Sequence, residues 1–210
     1  MGRRTSGVYS IYPWDGLSDK SVEVFCDMVT SGGGWTVIQN RVDGKVNFNR
    51  NWQEYKAGFG DVSTSHWAGN DIIHHLTKAN SSSLHVSITG KNGNTLFIQY
   101  DTFSISGEED DYRLYIAGNA KGTLEDRIRY GSTDNINGMK FSTYDKDNDP
   151  VSGSKCTDSM GIGGWWFNNC NDAYLNGPYA LEKWKQPWDP PFKDGSYISR
   201  TRMMIKRKMI

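Results

Sequence analysis

The apolar and polar positions of the first forty residues alternate as they do in strands. Ser6-Gly7-Val8-Tyr9-Ser10-Ile11-Tyr12 interleaves small or polar residues with apolar ones and stops at Pro13. Val22–Cys26 and Trp35–Gln39 read as two more strands, joined across the Ser31-Gly32-Gly33-Gly34 turn as a hairpin. The period then changes. Trp52, Tyr55 and Phe59 form a helical stripe, and Trp67, Ile72, Ile73 and Leu76 predict a second short helix starting near Asn70 or Asp71. Leu84–Ile88 returns to alternation, Asn92-Gly93 is a hairpin turn, and Leu96–Tyr100 comes back. Tyr112–Ile116 is another strand, and Ser196–Ile205 a closing one. Between them, residues 131–196 are dominated by Asp, Asn, Gly, Ser and Pro. A stretch that long without regular structure is either functional or disordered. Eight aromatics between Trp165 and Phe192 argue against disorder. The expected fold class is α+β: a mostly antiparallel sheet, a few short helices and a long loop-rich C-terminal region. No repeat and no linker divides the sequence, which predicts one domain over residues 5–210, with residues 1–4 a remnant of an engineered boundary.

Composition sharpens this picture. Gly makes up 23 of 210 residues and aromatics 13%, with eight Trp; both favour turns and aromatic anchors over a helical bundle. Lys+Arg and Asp+Glu are 24 each, so no global basic field exists to hold nucleic acid or an anionic membrane. No apolar run approaches the ~20 residues of a membrane helix.

Candidate chemistry is concentrated in the loop-rich region. Asp145-Lys146-Asp147-Asn148-Asp149 sets three carboxylates at alternate positions, where they repel unless a cation sits among them; calcium takes six to eight oxygen ligands. An EF-hand does not fit, because Pro150 stands at position six and Cys156 at position twelve. The alternative is a solvated acidic turn. Three cysteines leave two readings open: a secreted, disulfide-bearing domain with a further Cys upstream, or three free thiols. The polar loop around Cys156 and Cys170 favours the first. His66, His74, His75 and His85 show no zinc spacing, and no nucleophile elbow or phosphate-binding loop occurs; no enzyme is expected. Trp165-Trp166 is either a binding wall or an anchor for a region poor in aliphatic residues, and the anchor reading is preferred. The basic residues Arg200, Arg202, Lys206, Arg207 and Lys208 form either a patch for an anionic ligand or a solvated strand edge and tail, of which the second is preferred. Asn80-Ser81-Ser82 is an N-glycosylation sequon.

Ordered segments along nearly the whole sequence resemble the fibrinogen-related domain of fibrinogen globes, ficolins, tachylectins, tenascins and angiopoietins. They are Ser6–Ile11, Val24-Phe25-Cys26-Asp27-Met28, Gly32-Gly33-Gly34-Trp35-Thr36-Val37-Ile38-Gln39, Asn51-Trp52 with Tyr55–Gly60, Gly69-Asn70-Asp71, Phe141–Asp149, Gly163–Cys170, Leu175-Asn176-Gly177 and Thr201–Ile205. The resemblance implies secretion, a Cys156–Cys170 disulfide and a partner for Cys26 upstream. It implies calcium held by Asp147 and Asp149 side chains and the carbonyls of Val151 and Gly153. Because the loop is about one residue longer than in several members, Ser152 is the substitute for Gly153. Family lectins take acetyl groups beside this loop, around Asn169 and Cys170. Asn171 stands where they commonly carry His, and Met160-Gly161-Ile162 replaces one of their tyrosine walls, so Asn171, Trp184 and Trp188 are expected to build a different pocket. The expected function is that of an invertebrate-type, secreted, calcium-dependent pattern-recognition lectin for peptidoglycan or N-acetylated microbial glycans, oligomeric through sequence outside the 210 residues. The alternative is a receptor-binding or matrix module of the angiopoietin or tenascin type.

Overall fold

Residues 5–14, 20–78, 82–130, 135–159, 163–170, 172–179, 188, 192 and 196–208 are described by a computed structural model. The strands among them are β1 (Gly7–Ile11), β2 (Val22–Asp27), β3 (Trp35–Arg41), β4 (Phe59–Gly60), β5 (His66–Trp67), β6 (Ser82–Gly90), β7 (Thr95–Ile105), β8 (Leu114–Gly122), β9 (Phe141–Ser142), β10 (Trp165–Trp166) and β11 (Ile198–Arg207). The helices are short: α1 (Trp52–Ala57), α2 (Asn70–Thr77) and α3 (Cys156–Ser159). The main sheet runs β1-β2-β3-β11-β6-β7-β8, with β4 and β5 attached at β3, and β9 and β10 form a separate ribbon. All described pairings are antiparallel. The α+β expectation holds.

The last strand is central. Met203 of β11 pairs with Gln39 on one side and Val86 on the other. The basic C-terminal run therefore lies in mid-sheet, a correction to its reading as a strand edge. Alternation sorts the side chains. Leu84, Val86 and Ile88 of β6, Ile98 and Tyr100 of β7, and Met203 and Ile205 of β11 face one buried core. The opposite face carries a smaller cluster of Trp35, Val37 and Met204, with Phe25 packed on it.

Local chemistry sets the helix ends. Asn51 and Glu54 make a reciprocal capping box at the start of α1: the Asn51 side chain accepts from Glu54 N–H (2.9 Å) and the Glu54 carboxylate from Asn51 N–H (3.1 Å). α2 begins at Asn70, as expected, and lays Ile73 and Thr77 on the core. Several assignments differ from expectation: Phe59 and Trp67, read on the two helical stripes, lie in β4 and β5 after α1 has ended at Ala57 and before α2 begins. Tyr112 has φ +49°, so β8 starts only at Leu114. Tyr112 is fully buried and packs on Trp52 at 5.5 Å; its apolar character reports a core anchor rather than a strand position.

Candidate functional site

The loop-rich region is a layer built on aromatic side chains. In the β9–β10 ribbon, Trp165 pairs with Ser142 and Trp166 with Phe141. Both tryptophans are buried, Trp165 at 0% and Trp166 at 1% exposure, so the anchor reading is correct and no binding wall is formed. Trp166 meets Phe141 edge-on at 5.1 Å and donates its indole N–H to the Tyr112 carbonyl (2.7 Å). Trp188 is also fully buried and bridges to Ala173. It belongs to the core and offers no surface to a ligand, which corrects the expectation for it: where aliphatic residues are scarce, aromatics fill the interior.

Buried polar contacts tie this layer to the sheet. Gln39 on β3 donates to the Leu175 carbonyl (3.1 Å) and to Thr201 Oγ1 on β11 (2.9 Å). Asn176 donates to the Gly164 carbonyl (3.1 Å), and Tyr174 to the Gly163 carbonyl (2.8 Å). Gly163 has φ +114°, and a Cβ there would lie 2.2 Å from the Asn176 carbonyl oxygen; only glycine fits.

The acidic loop divides its carboxylates between two jobs. Asp145 faces the fold: its Oδ1 accepts from Trp52 N–H (2.9 Å) and from Thr143 Oγ1 (2.7 Å). Lys146 pairs with Asp111 (2.6 Å) and lies 3.9 Å over the Trp52 ring. Asn148 is pinned by Ser142 Oγ and the Phe141 carbonyl. Asp147 and Asp149 remain. Asp149 knits the loop, accepting from Val151 N–H (2.9 Å) and Cys156 N–H (2.8 Å). Asp147 accepts from Asp149 N–H (3.3 Å). Burial pushes the Asp147 carboxyl pKa up, and the Asp149 carboxylate beside it adds to the rise. Two facing carboxylates in an all-oxygen loop suit a hard cation such as calcium. Among the described residues, no group of three or more His, Cys, Asp or Glu side chains surrounds a metal position, so most donors here would be backbone oxygens and water. Val151 is half-buried; Gly153 is exposed with φ +84°.

A Cys156–Cys170 disulfide, with Cα atoms 5.5 Å apart, joins this loop to the Asn169 segment. Asn169 is exposed and Cys170 half-buried; Asn168 donates its N–H to the Cys170 carbonyl (2.9 Å) and its side chain to the Asn135 carbonyl (2.9 Å). A chain of contacts thus runs from Asp147 to Asp149, from Asp149 to Cys156, and through the disulfide to Cys170 and its neighbour Asn169. Asn171, Trp184 and the sequon residue Asn80 lie outside the described residues. Cys26 is a buried free thiol. Sequence reasoning missed Asp145 as a clamp on α1 and Gln39 as the tether; the Thr143–Asp145 spacing was the one local signal for the former.

Comparison with known proteins places this architecture. The family model for the C-terminal globular domain of fibrinogen beta and gamma chains matches residues 1–206. Human fibroleukin is 43% identical over 188 residues, 88% of this sequence and 41% of that protein. Mouse angiopoietin-4 is 42% identical over 213 aligned positions, 98% of this sequence and 40% of that protein. The 210 residues therefore span about two-fifths of the length of these relatives. The fibrinogen-like globe domain of human ANGPTL2 superposes with a TM-score of 0.87 at 33% identity, covering 99% of this sequence and 95% of that one. The protein belongs to the fibrinogen C-terminal globular domain family.

Proposed function

We propose that this domain is a protein-interaction module of the angiopoietin type, which docks a receptor or matrix protein through the loop layer around Asp147–Cys170. The observation that supports it most is the similarity to fibroleukin and angiopoietins over 88–98% of the sequence. The family is one of non-catalytic, secreted binding domains, and this protein is extracellular on that ground; its Cys156–Cys170 disulfide accords with an oxidising compartment. Asp147 and Asp149 side chains, with the carbonyls of Val151 and Gly153 or Ser152, are the proposed calcium ligands. Calcium, when bound, supplies the positive charge that two facing carboxylates otherwise lack. The disulfide then carries the order of that loop to Asn169 and Cys170.

A lectin for N-acetylated microbial glycans is the second reading. It is favoured by the exposure of Asn169 beside the acidic loop and weakened by the burial of Trp188. Binding of the purified protein to a panel of receptor ectodomains and matrix proteins, alongside peptidoglycan, separates the two. Saturable protein binding that free N-acetylglucosamine does not compete supports the proposal. Calcium-dependent peptidoglycan binding that N-acetylglucosamine abolishes, with no protein bound, replaces it with the lectin.

A further inference from the structure

The sheet face turned away from the core carries a separate cavity of about 410 Å³ across β3, β11, β6 and β7. The pairing register builds it. Arg202 lies between Asn40 and Ser87, and Ser87 lies opposite Phe97; Arg200 lies beside Thr89. Alternate β11 residues share a face, so the basic run that looked like a solvated edge becomes a row of Arg200, Arg202 and Lys206 in mid-sheet.

The lining is cationic, hydroxyl-rich and partly aromatic, and it contains no Asp or Glu. Arg202 is anchored by the Asn40 amide oxygen (3.1 Å) and by Asp27 (3.4 Å), with its side chain 34% exposed. Arg200 is exposed and makes no ion pair among the described residues. His85 is 3% exposed, yet its Nδ1 has no hydrogen-bond partner among the described residues. Its ring lies parallel to Phe97 at 5.2 Å and edge-on to Trp35 at 5.4 Å. Burial pushes its pKa down, so it is a neutral hydrogen-bonding group and not a third cation.

We propose that this groove binds a sulfated sugar unit of an anionic polysaccharide. The guanidinium forks of Arg200 and Arg202 match sulfate oxygens. The half-buried Phe97 ring gives an apolar face for a sugar ring, and Ser87 and Thr89 give hydroxyl partners. The volume exceeds the need of a lone anion and falls in the range of small-ligand sites. Lys206, further along the same face, donates to the Gly33 carbonyl (2.6 Å) and does not line the groove.

The test is titration of the purified protein, in chelator, with a heparin-derived hexasaccharide, its fully desulfated counterpart and poly-glutamate. Working in chelator separates this groove from the loop layer, whose proposed role stands or falls independently. The sulfated sugar is expected to bind, more weakly as salt rises, and the other two to bind at least tenfold worse. Arg200→Gln, which removes no hydrogen bond or ion pair among the described residues, is expected to weaken binding about tenfold. Arg202→Gln is expected to do the same, and Arg207→Gln, at the strand end on the other face, to leave binding unchanged. No binding, equal binding of poly-glutamate or the desulfated sugar, or wild-type affinity in Arg200→Gln would each overturn the proposal; equal poly-glutamate binding would indicate an acidic-peptide site instead.

Discussion

Asp145 and Asp147 are two residues apart in one acidic run, and the structure gives them opposite roles. Asp145→Ala removes the acceptor for the first amide of α1 and for Thr143 Oγ1. Loss of a helix-terminal acceptor costs about 0.5–2 kcal/mol. Hydrogen bonds to charged groups reach about 1.5–3 kcal/mol, but Asp145 is exposed, so water replaces part of this. The expected loss is about 1–2 kcal/mol, or a fall in Tm of roughly 2–8 °C for a protein of this size. Melting curves in chelator and in millimolar calcium decide the matter. The Asp145→Ala deficit should be the same in both. Asp147→Asn should behave otherwise. The folded-state pKa of Asp147 is raised, so its ionised form is disfavoured on folding; its contribution is most favourable below the unfolded carboxyl pKa and is lost as pH rises through the folded one. At neutral pH in chelator, Asp147→Asn should therefore melt at or above wild type. It should also lack the calcium-induced rise, which at a hundredfold excess over Kd is about 2.7 kcal/mol, or roughly 5–11 °C. If Asp145→Ala melts like wild type in chelator but loses the calcium response, the division between clamp and ligand is wrong.

Three further outcomes test the supports of the site. Gln39→Leu strips the Leu175 carbonyl and Thr201 of a buried partner, and urea unfolding should show a loss of about 2–4 kcal/mol with an unchanged slope. Asp27 carries a lowered pKa: burial alone would raise it, but the Thr30 and Val29 amides, the Thr30 hydroxyl and Arg202 together outweigh burial. The stability it contributes is present above the unfolded carboxyl pKa of about 3.9 and is lost as pH falls through the folded value; Asp27→Asn should remove that part of the acid-stability profile. Gly163→Ala places a Cβ against the Asn176 carbonyl at φ +114° and should lower Tm by more than about 4 °C through strain of about 1–3 kcal/mol plus the clash.

The alternation of β6 and β7 was readable because each turns one face to the core, and that of β1 because half-buried and exposed positions alternate along it. Its ends were less so. β7 continues past Tyr100 through Asp101, a polar residue whose carboxylate accepts from Asn119 N–H across the sheet (2.9 Å); pattern alone does not see a cross-strand partner. The position of β11 in the sheet was not readable either. Arginines at alternate positions suggest solvent, and they do face it, but from a strand hydrogen-bonded on both sides. The cysteine pair could be picked out by residue type, whereas only the family resemblance set Asp147 and Asp149 apart from Asp145 in the acidic run. Trp188 could not be assigned, since an aromatic in a polar stretch reads alike whether it fills the interior or lines a pocket.

Strand β11 walls the groove on one face and is tied through Gln39 to the loop layer on the other, and its pairing implies that the two proposed sites act independently. Thr201 faces the core and contacts Gln39, whose amide also holds Leu175 and hence the loop layer. Arg200 and Arg202 face the other way and wall the groove. Coupling between two ligands requires an element with two arrangements that each ligand binds differently. A shift of β11 would break its ladders to β3 and β6 together, and a one-residue slip would turn Met203 and Ile205 to solvent. The strand is therefore held in one register, and a groove ligand has no second state to select. Calcium titrations with and without saturating sulfated hexasaccharide should give the same midpoint, and the two stabilisations should add. A shift in that midpoint of more than about threefold, well below the 5–150-fold typical of allosteric coupling, would show that β11 transmits occupancy from one face of the sheet to the other.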